Sequence, residues 1–344
     1  MRLGLRYDMR APTFGAPIGA LYTAAIEQSA WADARGFEVV HLAEHHGAED
    51  NYCPSPLVLA GSIAARTSRM RIDLSAVVLP MHDAIRLAED LAVLDIIAGP
   101  KRLTMVAAMG YRPHEFAMFG MEFSERARLF EEALAALRDA WSGEEFVYRE
   151  RTVRVTPTPA TPGGPAIALA GNAPRSARRA ARLGYGYQPV DSELYDVFVA
   201  ECERLGRPAP APFRRHRPGF LHVTRDVERD FELIAPHIMH ASNVYAQWAA
   251  ERPGTAPNGT WQGYSDVDAV RRDPSIWIVT PEECLARAKS FGPDEEMQFH
   301  PLLGGLDPDI SWRGLELFAE EVLPHLDGVE PSGHQMASTN THRR

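Results

Sequence analysis

The sequence predicts an α/β protein: a single (β/α)8 barrel of the TIM type with insertions, among them a lid-like segment before the last strand. Short runs with the apolar pattern of strands alternate with longer runs of helical periodicity, which is the order expected of a parallel sheet connected by helices. Eight such strands can be counted, the number that closes a barrel. The first strand leads into Tyr7-Asp-Met-Arg-Ala-Pro, which lacks the glycine-rich turn of an open nucleotide-binding sheet.

Strands are expected where apolar residues alternate or cluster between turn residues. In chain order, they are predicted at residues 3–7, 37–43, 71–79, 102–108, 166–170, 185–190, 219–224 and 297–303.

Helices are identified by the residues at their boundaries. The first is predicted at 18–35 and stops at Gly36, and the second starts at Ser55, which can cap it, followed by a proline that suits the first turn. Asp83 caps a third helix that ends before Gly99 and Pro100. Further helices are predicted at 124–141, at 174–183, after the capping box of residues 280–283 and at 312–322.

The whole of 1–327 is predicted to form one barrel domain. Two segments depart from the regular alternation. Residues 142–165 are rich in proline and threonine and are expected to form a strand-like excursion. Residues 245–276 are polar and are expected to form a long loop over the barrel mouth, because long insertions commonly serve as lids. The polar end of the chain, 328–344, is expected to be a disordered tail.

Composition excludes several classes of partner. The formal net charge is −10 and no basic stripe carries interleaved aromatic residues, so we expect no nucleic-acid partner. No apolar run reaches the roughly 18 residues that a membrane span needs, so we expect no membrane partner. The three cysteines, Cys53, Cys202 and Cys284, are widely spaced and odd in number, which predicts a cytoplasmic protein rather than a disulfide framework.

The clearest candidate catalytic residues are Glu44, His45 and His46, at the carboxyl end of the second predicted strand. In a barrel that end faces the active site. A zinc site is the alternative, because residues 41–45 match the H-x-x-E-H pattern of some metalloproteases. On a strand, however, His41 and His45 lie about 13 Å apart, too far to share one metal. We therefore expect no metal here.

Two more strand ends carry candidate binding residues. After the fourth strand come Met109, Gly110 and Tyr111, where glycine permits close approach of a ligand. After the fifth strand, a loop runs from Gly171 to a helix that begins near residue 174. The amides of that helix N-terminus favour an anion such as phosphate. Asn172, Arg175 and Ser176 add donors there, although an ordinary capped helix explains the loop equally well.

Taken together, these stretches resemble the bacterial luciferase-like monooxygenases. Six motifs keep the order of that family: His-Leu-Ala-Glu-His-His at 41–46, Ser-Pro-Leu-Val-Leu-Ala at 55–60, Val-Val-Leu-Pro-Met-His-Asp at 77–83, Arg-Leu-Ala-Glu-Asp at 86–90, Gly-Tyr-Arg-Pro-His-Glu-Phe at 110–116 and Thr-Pro-Glu-Glu-Cys at 280–284. The resemblance implies an enzyme that uses reduced FMN and dioxygen to oxygenate a small organic substrate. It also implies a separate flavin reductase as partner and a homodimer.

The resemblance assigns residue roles as well. His45 is similar to the active-site histidine of the family, with Glu44 and His46 as its neighbours. Asn172, Ala173 and Ser176 resemble the loop that holds the flavin phosphate, and Ser75-Ala76 resembles a position where relatives carry a cis peptide under the flavin ring.

The sequence departs from the family pattern at the flavin site. Met109 stands where many relatives carry an arginine that touches the phosphate, so we expect reduced FMN to act as a diffusible substrate. Ala108 stands in place of the reactive cysteine of luciferase, so light emission is not expected.

Two alternatives remain open within the same fold. One is a deazaflavin-dependent hydride-transfer oxidoreductase, which would not need oxygen. The other is a non-catalytic relative that binds flavin without turnover.

Overall fold

The computed structural model describes residues 1–189, 191–208, 210–251 and 263–326. The predicted tail, and the part of the predicted lid between Glu251 and Gly263, lie outside the described residues.

The described residues form strands and helices in the following order along the chain. The strands are β1 (Arg2–Tyr7), β2 (Val39–Leu42), β3 (Arg71–Val78), β4 (Leu103–Ala108), β5 (Phe146–Tyr148), β6 (Arg151–Val153), β7 (Ala166–Ala170), β8 (Gly186–Gln188), β9 (Arg215–Arg217), β10 (Phe220–Val223), β11 (Ile276–Val279) and β12 (Glu295–Phe299). The helices are α1 (Ile18–Asp33), α2 (Pro56–Ala64), α3 (Ala84–Ala98), α4 (Pro113–Met118), α5 (Arg126–Ala140), α6 (Pro174–Leu183), α7 (Ser192–Arg204), α8 (Val227–Ala250), α9 (Val267–Arg272), α10 (Pro281–Ala288) and α11 (Pro308–Glu321).

Eight parallel strands form one curled sheet in the order β8-β7-β4-β3-β2-β1-β12-β9. On one side of β1, the strands β2, β3, β4, β7 and β8 follow in chain order. On the other side, β12 pairs with β1, and β9 pairs with β12. This is the arrangement of a (β/α)8 barrel, with β8 and β9 at the seam, and it confirms the predicted fold class. None of the described helices combines the length and apolar character needed to span a membrane.

The seventh strand was predicted in the wrong place. Residues 220–223 form β10, which pairs with β11 in a separate two-stranded parallel sheet. The barrel strand is β9, which has the sequence Arg-His-Arg and pairs with β12. An apolar run marks a strand that is buried on both faces, whereas β9 carries only polar side chains and gives no such signal.

The two predicted insertions differ in outcome. Within 142–165, β5 and β6 form an antiparallel hairpin. The prediction of a long loop at 245–276 is wrong at both ends, because α8 continues to Ala250 and α9 occupies Val267–Arg272. Asp266 accepts a hydrogen bond from the Ala269 amide and so caps α9, a start signal that the polar composition obscured.

The two faces of the barrel strands are chemically different. Leu5, Val40 and Ile72 are neighbours in register and fully buried on the helix-facing side. The register also aligns Arg6, His41 and Asp73 side by side, on the opposite face of the same strands. The interior of the barrel is therefore polar, and one of its charged side chains, Arg6, lines the cavity described next.

Candidate active site

His45 is held by a buried carboxylate. Its Nδ1 lies 2.8 Å from Oε1 of Glu115, which is on α4 and fully buried. The same carboxylate oxygen accepts the backbone N–H of His46 at 3.1 Å and lies 3.4 Å from Nη1 of Arg112. Glu115 thus joins the turn after β2 to the segment after β4.

The protonation of this pair follows from burial. Burial lowers the pKa of His45, and the hydrogen bond and charge of Glu115 offset this only in part. Burial raises the pKa of Glu115, but the hydrogen bonds from His45 and the His46 amide and the nearby positive charge together outweigh it and leave the pKa below its ordinary value. The carboxylate is ionised and can only accept, so the neutral imidazole carries its proton on Nδ1. Nε2 is then left as a hydrogen-bond acceptor and proton carrier.

Glu44 is a second buried carboxylate, which holds two histidines together. Its Oε1 accepts from Nε2 of His46 and Nε2 of His82, each at 2.8 Å, and Oε2 accepts the backbone N–H of Val78 at 2.7 Å. Burial raises the pKa of Glu44, but these hydrogen bonds outweigh it and lower the pKa to about 2. Glu44 therefore stays ionised and fixes the turn after β2 against the end of β3.

Aromatic rings surround His45. The ring centroids of Trp248 and Tyr52 lie 4.7 and 4.9 Å from that of His45, and those of Tyr111 and Tyr245 lie 5.6 and 6.2 Å away. Tyr245 and Trp248 belong to the last turns of α8, where residues three apart face the same way. The last turns of α8, which were predicted as part of a loop, therefore form one side of the ring cluster around His45.

Arg10 is a site residue that the sequence analysis missed. Its guanidinium is fully buried and lies 4.6–4.7 Å from the ring centroids of Tyr52, Tyr245 and Trp248. It donates to Asp50, which also bonds Nε2 of His240 on α8 at 2.8 Å. Cation–π contacts and this shared carboxylate attach α8 to the loop after β1. A lone arginine after a strand carries no signal that distinguishes it from a surface residue.

A cavity of about 910 Å³ opens at the carboxyl ends of the strands. Four of the predicted cofactor-binding residues line it: Ser75, Ala76, Gly171 and Asn172. The peptide bond between Ser75 and Ala76 is cis, as the resemblance implies. Tyr245 also lines the cavity, and the His45 ring packs against the Tyr245 ring instead of lining the cavity itself. The other predicted site residues are not among the described residues that line it: Glu44, His45, His46, Met109, Gly110, Tyr111, Ala173, Arg175 and Ser176.

The loop between β7 and α6 is tightly built. The backbone carbonyl of Gly171 accepts from the Tyr187 hydroxyl at 2.6 Å, and a Cβ at Gly171 would collide with the side chain of Ser176. Ala173 is the N-cap and offers no side-chain cap to the first turn of α6. Pro174 has no N–H, and the Ser176 amide donates to the Ala173 carbonyl at 2.8 Å. In the part of the chain that the structure describes, the Arg175 amide is therefore the group in the first turn of this ten-residue helix that remains for an anion next to the cavity.

An arginine of α6 lies beside Met109. Nη1 of Arg179 on α6 is 3.8 Å from Sδ of Met109. At the start of α5, burial lowers the pKa of Arg126, and the charge of the nearby Arg175 lowers it further. Arg112, by contrast, is buried against Trp248 and paired with Glu115 and Glu251. Arg179, which also pairs with Glu131 at 2.9 Å, is therefore a candidate cation beside Met109 that the sequence analysis did not select.

Gly110 has φ of +75°, and a Cβ there would come within 2.8–2.9 Å of Phe116 and Val78. Glycine is required at this position on both counts, because it permits the left-handed conformation and the close packing of the turn after β4.

His41 and His45 do not share a ligand site. Nε2 of His41 lies 2.8 Å from Glu296 inside the barrel, whereas His45 binds Glu115 at the mouth. The two rings are committed to different carboxylates, so the metalloprotease pattern at 41–45 does not form its site.

A parallel barrel with a cavity at the carboxyl ends of its strands defines a (β/α)8 enzyme that binds its ligands at that face. The family model described as luciferase-like monooxygenase matches residues 9–291, and the chain therefore belongs to the luciferase-like monooxygenase family. It is a flavin-dependent monooxygenase by class, in agreement with the resemblance of its motifs.

One relative is named as part of an enzyme of this class, and a second is uncharacterized. The oxygenase component of a flavin-dependent trigonelline monooxygenase from Acinetobacter baylyi is 25% identical over 91% of this chain and 81% of that protein. An uncharacterized protein, y4vJ of Sinorhizobium fredii, is 31% identical over 39% of this chain, and the match spans 38% of that protein.

Two solved structures share the fold. The oxygenating constituent of 3,6-diketocamphane monooxygenase from Pseudomonas putida, in complex with FMN, superposes with a TM-score of 0.70 at 16% identity, over 94% of this chain and 98% of that one. An F420-dependent secondary alcohol dehydrogenase gives 0.64 at 16% identity, over 95% and 100%.

Proposed function

We propose that this chain is the oxygenase component of a two-component system, which takes reduced FMN from a separate reductase and oxygenates a small organic substrate with dioxygen. The observation that carries the proposal is the cavity of about 910 Å³ bordered by Ser75, Ala76, Gly171 and Asn172. Its volume lies in the range of cofactor and ligand sites, about 300–1,000 Å³. The relative that is an oxygenase component supports the separate reductase.

The residues at the mouth fit a flavin in separate ways. Ser75 and Ala76 would hold the ring, and we assign Met109, Gly110 and Tyr111, which follow β4, to the same group of cofactor-binding residues. Gly171, Asn172, Ala173, Arg175 and Ser176 provide the phosphate loop at the N-terminus of α6. Reduced flavin, when bound, supplies the electrons that dioxygen accepts.

The protein's own contribution is proton control and exclusion of water. His45 is neutral and, with Nδ1 fixed by Glu115, can exchange a proton through Nε2. Glu44 fixes His46 and the turn that carries His45. The rings of Tyr245 and Trp248 keep bulk water from this histidine, which favours oxygenation over loss of the flavin electrons to peroxide. Glu44, His45 and His46 are our proposed catalytic group.

The test is consumption of dioxygen by the protein with chemically reduced FMN, followed together with peroxide release. We expect oxygen uptake with part of the oxygen withheld from peroxide when a substrate is present. A parallel assay with reduced F420 under anaerobic conditions tests the deazaflavin alternative. We include it because an F420-dependent dehydrogenase shares the fold. Turnover only in the anaerobic assay would refute the proposal.

We also propose that phosphate binding depends on Arg179, because Met109 supplies no charge. A charge-assisted contact contributes about 1.5–3 kcal/mol, so we expect Arg179→Ala to weaken reduced FMN binding by roughly tenfold to a hundredfold. Met109→Arg should strengthen it by a similar factor. The readout is fluorescence titration with oxidised FMN and anaerobic titration with reduced FMN.

Arg182→Ala is the matched control, because Arg182 lies on the same helix and pairs with the same Glu131. Equal weakening in both arginine variants would show that the effect is structural. Retention of stoichiometric FMN through purification of the wild type would refute the diffusible-cofactor proposal.

A homodimer is proposed from the surface of α2 and α3. Val58 on α2 is 73% exposed, and Val93, Ile96 and Ile97 form an exposed stripe on α3 at helical spacing. Ile97→Glu should therefore yield a monomer by light scattering, whereas a wild-type monomer would refute the proposal. We also propose a cytoplasmic location, which the three free buried cysteines support.

A further inference from the structure

Three side chains of metal-binding type meet inside the barrel, and one of them, His216, lines the large cavity. His41 on β2, His216 on β9 and Glu296 on β12 each offer one ligand atom, and these atoms lie within 4.8 Å of one another. Oε1 of Glu296 is 2.8 Å from Nε2 of His41 and 3.2 Å from Nδ1 of His216. We propose that these three side chains form a binding site for one divalent transition-metal ion.

The donor set selects the class of ion. Two imidazole nitrogens and one carboxylate oxygen suit zinc or iron(II), and leave further coordination positions for water. Ligand bonds of about 2.0–2.2 Å place the atoms of a tetrahedral site roughly 3.4 Å apart. The two separations from Glu296, 2.8 and 3.2 Å, need a small expansion to reach that value, and the two imidazole nitrogens lie within 4.8 Å of each other.

A second observation at the same place points to a missing partner. Glu296 is completely buried, and its Oε2 has no hydrogen-bond partner among the described residues. All its contacts fall on Oε1, which also accepts from Nε2 of Gln298 at 3.2 Å. A carboxylate can bind a cation through both oxygens, which would satisfy the orphaned atom.

Asp73 completes the arrangement as an outer partner. Its Oδ2 lies 3.8 Å from Nδ1 of His41, the ring nitrogen that faces away from Glu296. At this distance Asp73 does not bond the ring, but a small approach would let it accept from Nδ1, and a carboxylate in that position fixes a ligating histidine and makes it a better ligand. The charges of Arg6 and Arg214 also act on this cluster and oppose a cation. We therefore expect a dissociation constant on the order of micromolar, rather than the far tighter binding of structural zinc fingers.

The site has an access route and a structural role. His216 lines both the large cavity and a second cavity of about 460 Å³ at the seam between β8 and β9. In the part of the chain that the structure describes, β9 is three residues long and pairs with β12 but not with β8. A metal bound by β2, β9 and β12 would cross-link the barrel next to this seam.

The experiment uses the full-length protein after removal of metals with a chelator. Cobalt(II) is titrated with visible absorbance as the readout, and zinc(II) by calorimetry. We expect one equivalent of either ion at micromolar concentration, with cobalt d–d bands of nitrogen and oxygen ligation and a raised melting temperature.

Variants decide whether the binding occurs at this site. Glu296→Gln and His216→Gln should each weaken binding by a hundredfold or more, beyond the roughly tenfold to hundredfold that loss of an outer partner costs. His325→Ala, on an exposed residue, is the matched control and should bind as the wild type does. A His334→Ala/His342→Ala double variant removes the histidines of the C-terminal segment and should also leave the stoichiometry at one.

Two results would overturn the inference. One is the absence of cobalt and zinc binding below millimolar concentration, which would show that the cluster is only a hydrogen-bonded network. The other is binding that survives His216→Gln or disappears in the control variants. Should Glu296→Gln fail to fold, His216→Gln still decides, because that side chain is 27% exposed and is not part of the sealed core.

Discussion

Replacing Glu44 with glutamine removes a negative charge from an enclosed position and leaves the shape of the side chain almost unchanged. In the wild type this carboxylate accepts from His46, His82 and the Val78 amide. The pKa of Glu44 falls from the ordinary 4.5 to about 2, a shift of roughly 2.5 pH units. At about 1.4 kcal/mol per unit, the ionised form contributes about 3 kcal/mol to folding.

The pH dependence of that contribution has a definite sign. A carboxyl whose pKa is depressed in the folded state stabilises the protein fully above its unfolded pKa, and the effect is lost as the pH falls towards the folded pKa. We therefore expect Glu44→Gln to lower the free energy of unfolding by about 3 kcal/mol at pH 7. The difference from the wild type should shrink between about pH 4.5 and pH 2.

Equilibrium urea unfolding at pH 7, 4.5 and 3 measures both quantities. Glu49→Gln makes the same substitution at an exposed position five residues away and should stay within about 0.5 kcal/mol of the wild type. A Glu44→Gln variant as stable as this control at pH 7 would refute the role of Glu44 as an ionised anchor. The same role would be refuted if the difference in unfolding free energy between Glu44→Gln and the wild type did not narrow as the pH falls.

The remaining predictions concern His45 and its surroundings. His45→Ala should leave the fold intact but divert reduced flavin to peroxide, measured as the ratio of peroxide to oxygen consumed; an unchanged ratio would make His45 structural. Glu115→Gln removes the group that offsets the effect of burial on the pKa of His45, so the acidic limb of the pH–rate profile should move to lower pH. Trp248→Ala opens one side of the ring cluster and should raise peroxide release without changing FMN affinity, whereas improved coupling would contradict a shielding role.

The strands that were predicted well share one property. β1 and β4 alternate or cluster apolar residues because one face packs on helices, and this pattern is visible without the structure. β9 carries no apolar residue, and β10 has an apolar run although it lies outside the barrel sheet. A window of the sequence cannot distinguish an apolar strand of the barrel from one in a small neighbouring sheet, since both are buried.

In the candidate site, too, the residues that follow strands could be predicted from the sequence, whereas contacts between distant parts of the chain could not. Glu44 to His46 and the loop at 171–176 could be selected because they follow strands, and strand ends meet at one face of a barrel. Glu115 lay inside the motif at 110–116, yet its bond to His45 joins residues 70 positions apart. Arg10 and Trp248 were missed because their contact depends on how α8 packs across the barrel mouth.

The polar interior of the barrel explains why register and site chemistry are linked. Arg6, His41 and Asp73 alternate with apolar neighbours, which in the sequence resembles a strand with one face in water. Curling the sheet turns that polar face inward, where each charge needs a partner on an adjacent strand. A slip of β2 by one residue would place Val40 among these charges and press His41 against the helices. The inward charges therefore specify strand register, and the same register places the turn that carries His45 at the mouth of the cavity.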